Sequence, residues 1–214
     1  MAIPKRVFTI WLTEDKSVPC LVKRCIDSQQ CMCEAFGYEY KVIGLPDAFK
    51  DSKYAQECLS SSFKKEKWCK YSDYLRAHYL IESGGIYLDA DVEILPGKNF
   101  NGLLGYEMFV GKEKLLPGVG SNWLGTAVIG AEQGHWFLRR WTEEVEKKFR
   151  GDDNKNFESS MELLTERYYA ANKEFHEKML ILEPDVFFPY CHLDESINLT
   201  GNSVCIHHFL KSWI

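Results

Sequence analysis

The chain has 214 residues, 45% hydrophobic and 27% charged, which suits one soluble domain with a sizeable core and excludes a disordered chain. A net charge of −5 argues against a non-specific nucleic-acid binder, which carries a basic surplus. No apolar run is long enough to span a bilayer, and no apolar signal-peptide core follows Lys5 and Arg6.

In chain order, Ile3 to Leu12 reads as a buried first strand and Leu21 to Cys33 as a helix. Tyr38 to Ile43 alternates like a strand, and Asp47 to Lys70 is polar with aromatic punctuation, as in short helices. The lysines at 64, 65, 67 and 70 read as a solvated face. Trp68, Tyr71, Leu75 and Tyr79 recur at helical spacing, so a helix is predicted over Lys67 to Ser83, stopped by Gly84-Gly85. Ile86-Tyr87-Leu88 is then a short apolar strand running into Asp89-Ala90-Asp91, and Val92 to Leu95 continues extended.

Further strands are predicted at Phe109 to Gly111 and Thr126 to Gly130, with a glycine-rich loop, Pro117 to Gly125, between them. An amphipathic helix covers Gln133 to Phe149, a polar break 151–156, a helix Met161 to Tyr169, and strands Met179 to Glu183 and Val204 to Ile206. Alternating helices and strands predict an α/β sheet with helices packed on it.

The eight cysteines match no zinc-finger or zinc-ribbon spacing; Cys31-Met32-Cys33 is the only close pair. Without a secretion signal, reduced thiols are expected, and Asn198-Leu199-Thr200 reads as a chance glycosylation sequon.

Two carboxylates one residue apart at a strand end need a physical reason. On a regular strand Asp89 and Asp91 point to one face. Two negative charges crowded there repel, and one tends to protonate. A divalent cation removes the conflict, since Mg²⁺ and Mn²⁺ take one or two protein carboxylates plus substrate phosphates. The carboxyl end of a strand is also where α/β sheets place ligands.

Ser72-Asp73-x-x-Arg76 followed by Gly84-Gly85-Ile86-Tyr87-Leu88-Asp89-Ala90-Asp91 resembles the D-x-D sugar-binding region of the family 32 GT-A glycosyltransferases. That group is related to OCH1-type mannosyltransferases and to the glucosylating domains of clostridial toxins. Ile3-Pro4-Lys5 with Trp11 resembles the family's opening strand, and His207 with Ser212-Trp213 its closing H-x-x-x-x-S-W segment. The resemblance implies a GT-A (Rossmann-like), mixed but mostly parallel sheet over a single domain, residues 1–214, which a longer protein can contain. It implies a metal-dependent transferase moving a hexose or 6-deoxyhexose from a UDP-sugar to a glycan or glycoprotein acceptor, with retention of configuration. The small size fits a bacterial or large-DNA-virus enzyme, and hence a cytoplasmic location.

The roles follow. Asp89 and Asp91 hold Mn²⁺ or Mg²⁺, which neutralises the leaving diphosphate. Arg76 can fork two hydrogen bonds to phosphate or sugar oxygens, and Asp73 can accept from sugar hydroxyls. Trp11, Leu12 and Thr13 are candidates for the nucleotide, together with Ala90 in the motif. Ser121, Asn122 and Trp123 are candidates for the acceptor or donor sugar. Ser212 and Trp213 would fold over the diphosphate. Adjacent strand residues face opposite ways, so one of His207 and His208 is expected at the metal. The motif spacing favours His207, while strand phase alone does not choose. The rival readings are a nucleotide-sugar hydrolase and a non-catalytic nucleotide-sugar or carbohydrate-binding module; intact Asp73, Arg76, Asp89 and Asp91 argue against the latter.

Overall fold

A computed structural model describes residues 2–12, 18–44, 66–113, 124–150, 164–165, 178–191 and 195–210, with 66–70 and 144–150 described by backbone alone. The strands are β1 (Arg6–Ile10), β2 (Glu39–Ile43), β3 (Gly85–Leu88), β4 (Val92–Ile94), β5 (Met108–Lys112), β6 (Leu124–Ala131), β7 (Met179–Leu182) and β8 (Cys205–His207). The α-helices are α1 (Cys20–Phe36), α2 (Glu66–Ser83), α3 (Trp136–Arg150) and α4 (Pro184–Phe187), with a 3₁₀ turn at Asn101–Leu103.

Six strands form one sheet in the order β2-β1-β3-β6-β5-β7. β1 pairs parallel with β2 and β3, and β5 with β7, while β6 runs antiparallel to β3 and β5. Only β6 opposes the rest, so the carboxyl ends of the other five strands share one edge. β4 and β8 form a separate antiparallel pair.

The central strands are apolar on both faces, as a sheet covered on both sides requires. All eight residues of β6 and all four of β3 are buried. On one face Tyr71, Leu75 and Leu80 of α2 and Phe137, Leu138 and Trp141 of α3 pack against Phe8, Tyr87, Val110 and Ile129. On the other face Met32 and Cys33 of α1, with Phe100, Phe187 and Phe188, cover Val7, Ile86, Leu88, Phe109 and Val128. Neighbouring residues in β1 and β3 thus enter opposite cores, as the strand period demands.

Gly84-Gly85 does more than stop a helix. Gly84, at φ 61°, closes α2 by donating its N–H to Leu80 O at 2.9 Å. Gly85, at φ 112°, already begins β3, and a Cβ there would lie 2.6 Å from Arg6 O. The pair therefore lets β3 come up against β1 immediately after the helix ends.

Several boundaries differ from expectation. α3 starts at Trp136 and not Gln133, because Gly134 turns left-handed at φ 73°. Leu124 and Gly125, expected in the loop, belong to β6 opposite Lys112 and Gly111. α4 was not foreseen; it is a single turn with Pro184 at its start, where proline's missing N–H does no harm. The short helices expected before residue 66, the break at 151–156 and most of 161–169 lie outside the described residues. Among the described residues no helix is long and apolar enough to cross a membrane.

Candidate functional site

Asp89 follows β3 at the common carboxyl edge, its N–H donating to Ala127 O of β6 at 2.8 Å. The chain then turns: Val92 N–H returns to Asp89 O at 3.0 Å, with Ala90 at the tip, 8% exposed. Asp89 and Asp91 therefore converge through a β-turn, and not through the strand alternation expected from sequence.

A buried glutamine holds this turn. Gln29 of α1 donates both amide hydrogens, to Asp89 O at 3.0 Å and Val92 O at 2.7 Å. Its own carbonyl accepts from Tyr40 Oη at 2.9 Å and lies 2.5 Å from Thr9 Oγ1 of β1. Every polar atom of the Gln29 side chain is thus paired within a site that excludes water.

β8 brings the third group. His207 pairs with Val92 across the β4–β8 ladder, one residue beyond Asp91. Its Nε2 lies 3.3 Å from Asp91 Oδ1 and 3.8 Å from Asp89 Oδ2. His208 turns the other way, to Glu93 Oε2 at 2.8 Å. Of the two histidines expected near the metal, the fold delivers only His207 to the aspartates, because adjacent strand residues point to opposite faces. The segment after β8 closes over Asp91: Leu210 N–H donates to Asp91 Oδ2 at 2.8 Å, and His208 N–H to Asp91 O at 3.1 Å.

Arg76 and Asp73 sit on α2, one turn apart and facing β3. Arg76 Nη2 lies 2.8 Å from Asp73 Oδ1 and 3.4 Å from Asp89 Oδ1, and Nη1 donates to Thr126 O at 2.7 Å. Its guanidinium stacks 4.6 Å over the Tyr87 ring. Tyr87 in turn donates its hydroxyl to Asp89 Oδ1. Arg76 is 5% exposed and engaged with protein. It braces the carboxylates of Asp73 and Asp89.

Charge follows geometry. Burial alone would raise the Asp91 carboxyl, but the His207 charge, its hydrogen bond and the Leu210 N–H outweigh burial and hold it down at about 2. His207 is the counterpart: burial lowers it, while Asp91, Asp89 and Glu113 raise it above its ordinary value on balance. Glu113, directly after β5, is pushed up to about 7 by burial, against the lowering effect of His207 and with Asp89 adding to the rise.

Asp89, Asp91 and His207 each offer one ligand atom, all within 4.8 Å of one another. An octahedral ion with bonds of about 2.1 Å sets adjacent ligands about 3 Å apart, close to the His207–Asp91 spacing. Two carboxylates and an imidazole suit a divalent ion such as Mn²⁺. The donor set fits.

Trp11 and Leu12 follow β1 at the same edge. Trp11 N–H donates to Ile43 O at 3.0 Å, and its buried indole N–H has no partner among the described residues. Leu12 packs on the core. Thr13, Ser121, Asn122, Trp123, Ser212 and Trp213 lie outside the described residues.

Residues 15–110 match the family model described as "Glycosyltransferase sugar-binding region containing DXD motif". Over that span the chain is similar to a glycosyltransferase sugar-binding region. The span includes Asp73, Arg76, Asp89 and Asp91 and takes up a little under half of the sequence. The fold agrees. A solved structure titled "PaToxG Glycosyltransferase" superposes with a TM-score of 0.51 at 18% identity, over 79% of this chain and 69% of that one. A glycosyltransferase "involved in the glycosylation of the major capsid of PBCV-1" superposes with a TM-score of 0.56 at 8% identity, over 95% of this chain and 94% of that one. At such identities the likeness is one of fold, a mixed and mostly parallel GT-A-type sheet flanked by helices. No curated protein matches the chain by sequence.

The residues missed from sequence are Gln29, Thr9, Tyr87 and Glu113. Gln29 had a signal: with Val22, Cys25, Met32 and Cys33 it lies on the buried face of α1, and a polar group on an apolar stripe needs partners. Tyr87 is two residues before Asp89, on the same strand face. Glu113 had none, since its burial depends on strands remote in sequence.

Proposed function

We propose that the protein transfers a hexose or 6-deoxyhexose from a UDP-sugar to a glycan or glycoprotein acceptor, with Mn²⁺ (or Mg²⁺) held by Asp89, Asp91 and His207. The observation that carries this reading is the convergence of those three groups at the sheet's carboxyl edge, beside the Asp73–Arg76 pair. When bound, the cation neutralises charge on the departing diphosphate as a Lewis acid. Asp73 accepts hydrogen bonds from hydroxyls of the donor sugar. Arg76 positions Asp73 and Asp89. Trp11 offers its indole N–H to the nucleotide, with Leu12 and Thr13 lining the base. Ser121, Asn122 and Trp123 meet the acceptor or donor sugar.

The segment after β8 completes the site. Leu210 N–H orients one oxygen of Asp91. Ser212 and Trp213 would fold over the diphosphate only when the nucleotide is bound, excluding water from the reacting bond. Transfer proceeds with retention from the front face, the leaving phosphate taking the acceptor proton. The work takes place in the cytoplasm.

The experiment is product analysis. UDP-sugars are incubated with Mn²⁺, with and without oligosaccharide acceptors. An acceptor-dependent glycoside supports the reading. Free sugar at the same rate with or without acceptor identifies a hydrolase, and binding without turnover identifies a non-catalytic module.

A further inference from the structure

A second cluster lies on the other face of the β4–β8 pair. We propose that Cys25, Glu93 and His208 form a separate site for a borderline-soft divalent cation, Zn²⁺ being the natural occupant. Cys25 sits on α1 and is fully buried, Glu93 lies in β4, and His208 follows β8. Each offers one ligand atom, and the three atoms lie within 4.8 Å of one another. Zinc with bonds of about 2.0–2.3 Å holds tetrahedral ligands roughly 3.5 Å apart, so a small closing movement completes the geometry.

The ligand chemistry separates the two sites. A thiolate, an imidazole and a carboxylate select zinc-like ions, whereas the Asp89–Asp91 pair favours oxygen-seeking Mn²⁺ or Mg²⁺. The frame is already built. Ile94 N–H donates to Ser28 Oγ at 2.9 Å and Gln29 Nε2 to Val92 O at 2.7 Å, fixing α1 against β4 on either side of Glu93. The ladder that pairs Glu93 with Ile206 fixes the approach of His208. Three protein ligands leave a fourth position for water or a solute ligand.

Binding has a defined balance. The Cys25 thiol loses its proton to solvent and gives its sulfur lone pair to the metal. Arg24, whose Nη2 lies 2.9 Å from Glu93 Oε2, is the competing cation; its mostly exposed side chain can turn to water. His208 exchanges its hydrogen bond with Glu93 for the metal. Since His208 N–H also holds Asp91 O, occupancy stiffens the segment that closes the donor site. The ligands come from positions 25, 93 and 208, so no local cysteine spacing announces them.

The site stands apart from the donor-site reading, and Co²⁺ added to the metal-free full chain tests it. Cobalt bound to a thiolate gives a near-ultraviolet charge-transfer band that carboxylate and imidazole ligands do not. The wild type is expected to show the band at one equivalent of thiolate-bound Co²⁺. Cys25→Ser and His208→Ala, each checked for folding by circular dichroism, are expected to lose it, and Asp91→Asn to keep it. Loss in His208→Ala holds the test even if Cys25→Ser fails to fold. No band in the wild type, a band that survives in either ligand variant, or one that disappears in Asp91→Asn would overturn the proposal. Failure of the donor-site reading alone leaves this pattern untouched.

Discussion

His207 Nε2 lies 3.3 Å from Asp91 Oδ1, although one residue ends the last strand and the other follows the third. The β4–β8 ladder creates that contact, and it adds an imidazole to the two acids, a group of three that could hold a metal ion. His207→Ala is expected to weaken Mn²⁺-dependent UDP binding by more than about tenfold. The same change at His208 costs much less, because its ring faces Glu93. Calorimetry on both variants checks this; equal losses would mean that β8 acts only through its backbone.

Arg76 is the buried cation between two carboxylates. Arg76→Ala leaves Asp73 and Asp89 without it and is expected to cost about 3 kcal/mol of stability, the range seen when one member of a buried pair is removed. Arg76→Lys restores only part, because an ammonium cannot reproduce the planar fork over Tyr87. Urea unfolding of metal-free protein measures both. A loss under about 1 kcal/mol in the alanine variant would show a weak brace.

Gln29→Leu keeps the side chain's bulk and removes its hydrogen bonds to Asp89 O and Val92 O. Two buried carbonyls lose a donor, at an expected cost of about 2 kcal/mol. The turn loosens with them, so Mn²⁺-dependent UDP affinity should fall as well. A thermal melt and a UDP titration on the same sample separate the effects; lower stability with unaltered affinity would assign Gln29 to the fold alone.

The Asp91–His207 contact sets a pH signature in metal-free protein. Asp91 is lowered from 3.8 to about 2 despite burial, which acts to raise it. A lowered carboxyl contributes stability that is present above about pH 4 and lost as pH falls towards 2, about 2 kcal/mol in all. His207 is raised above 6.5, so its contribution is full below that value and is lost as pH rises through its folded value. Stability from the pair is therefore greatest between these windows. Urea midpoints across pH 2–8 should show both flanks, and Asp91→Asn should lose the acid flank.

The sheet was legible in the sequence because its strands are apolar on both faces and its helices amphipathic. β1, β3, β6 and α2 stand within a few residues of their expected bounds. The motif from Asp73 to Asp91 was legible for another reason: two acids at a strand end need a compensating charge. What sequence hid was pairing at a distance. Nothing near His207 reveals that it lies across from Val92. The strand period said that one histidine faces the acids, the closing-motif spacing favoured His207, and the β4–β8 register delivers it. The burial of Arg76 was hidden because helical spacing records its neighbour Asp73 but not Tyr87 and Thr126, which it meets across the fold. The turn at Ala90 was hidden as well, because alternation and a tight turn both bring positions 89 and 91 together.

The central claim is that Asp89, Asp91 and His207 hold the cation that holds the nucleotide. Its most direct measurement is calorimetric titration of UDP into the wild type and Asp91→Ala, each with Mn²⁺ and with chelator. The account predicts tight UDP binding only for the wild type with Mn²⁺, and loss of that binding in a variant that still unfolds cooperatively. UDP binding of the same strength in chelator, or a folded Asp91→Ala variant that keeps its metal-dependent affinity, would contradict it.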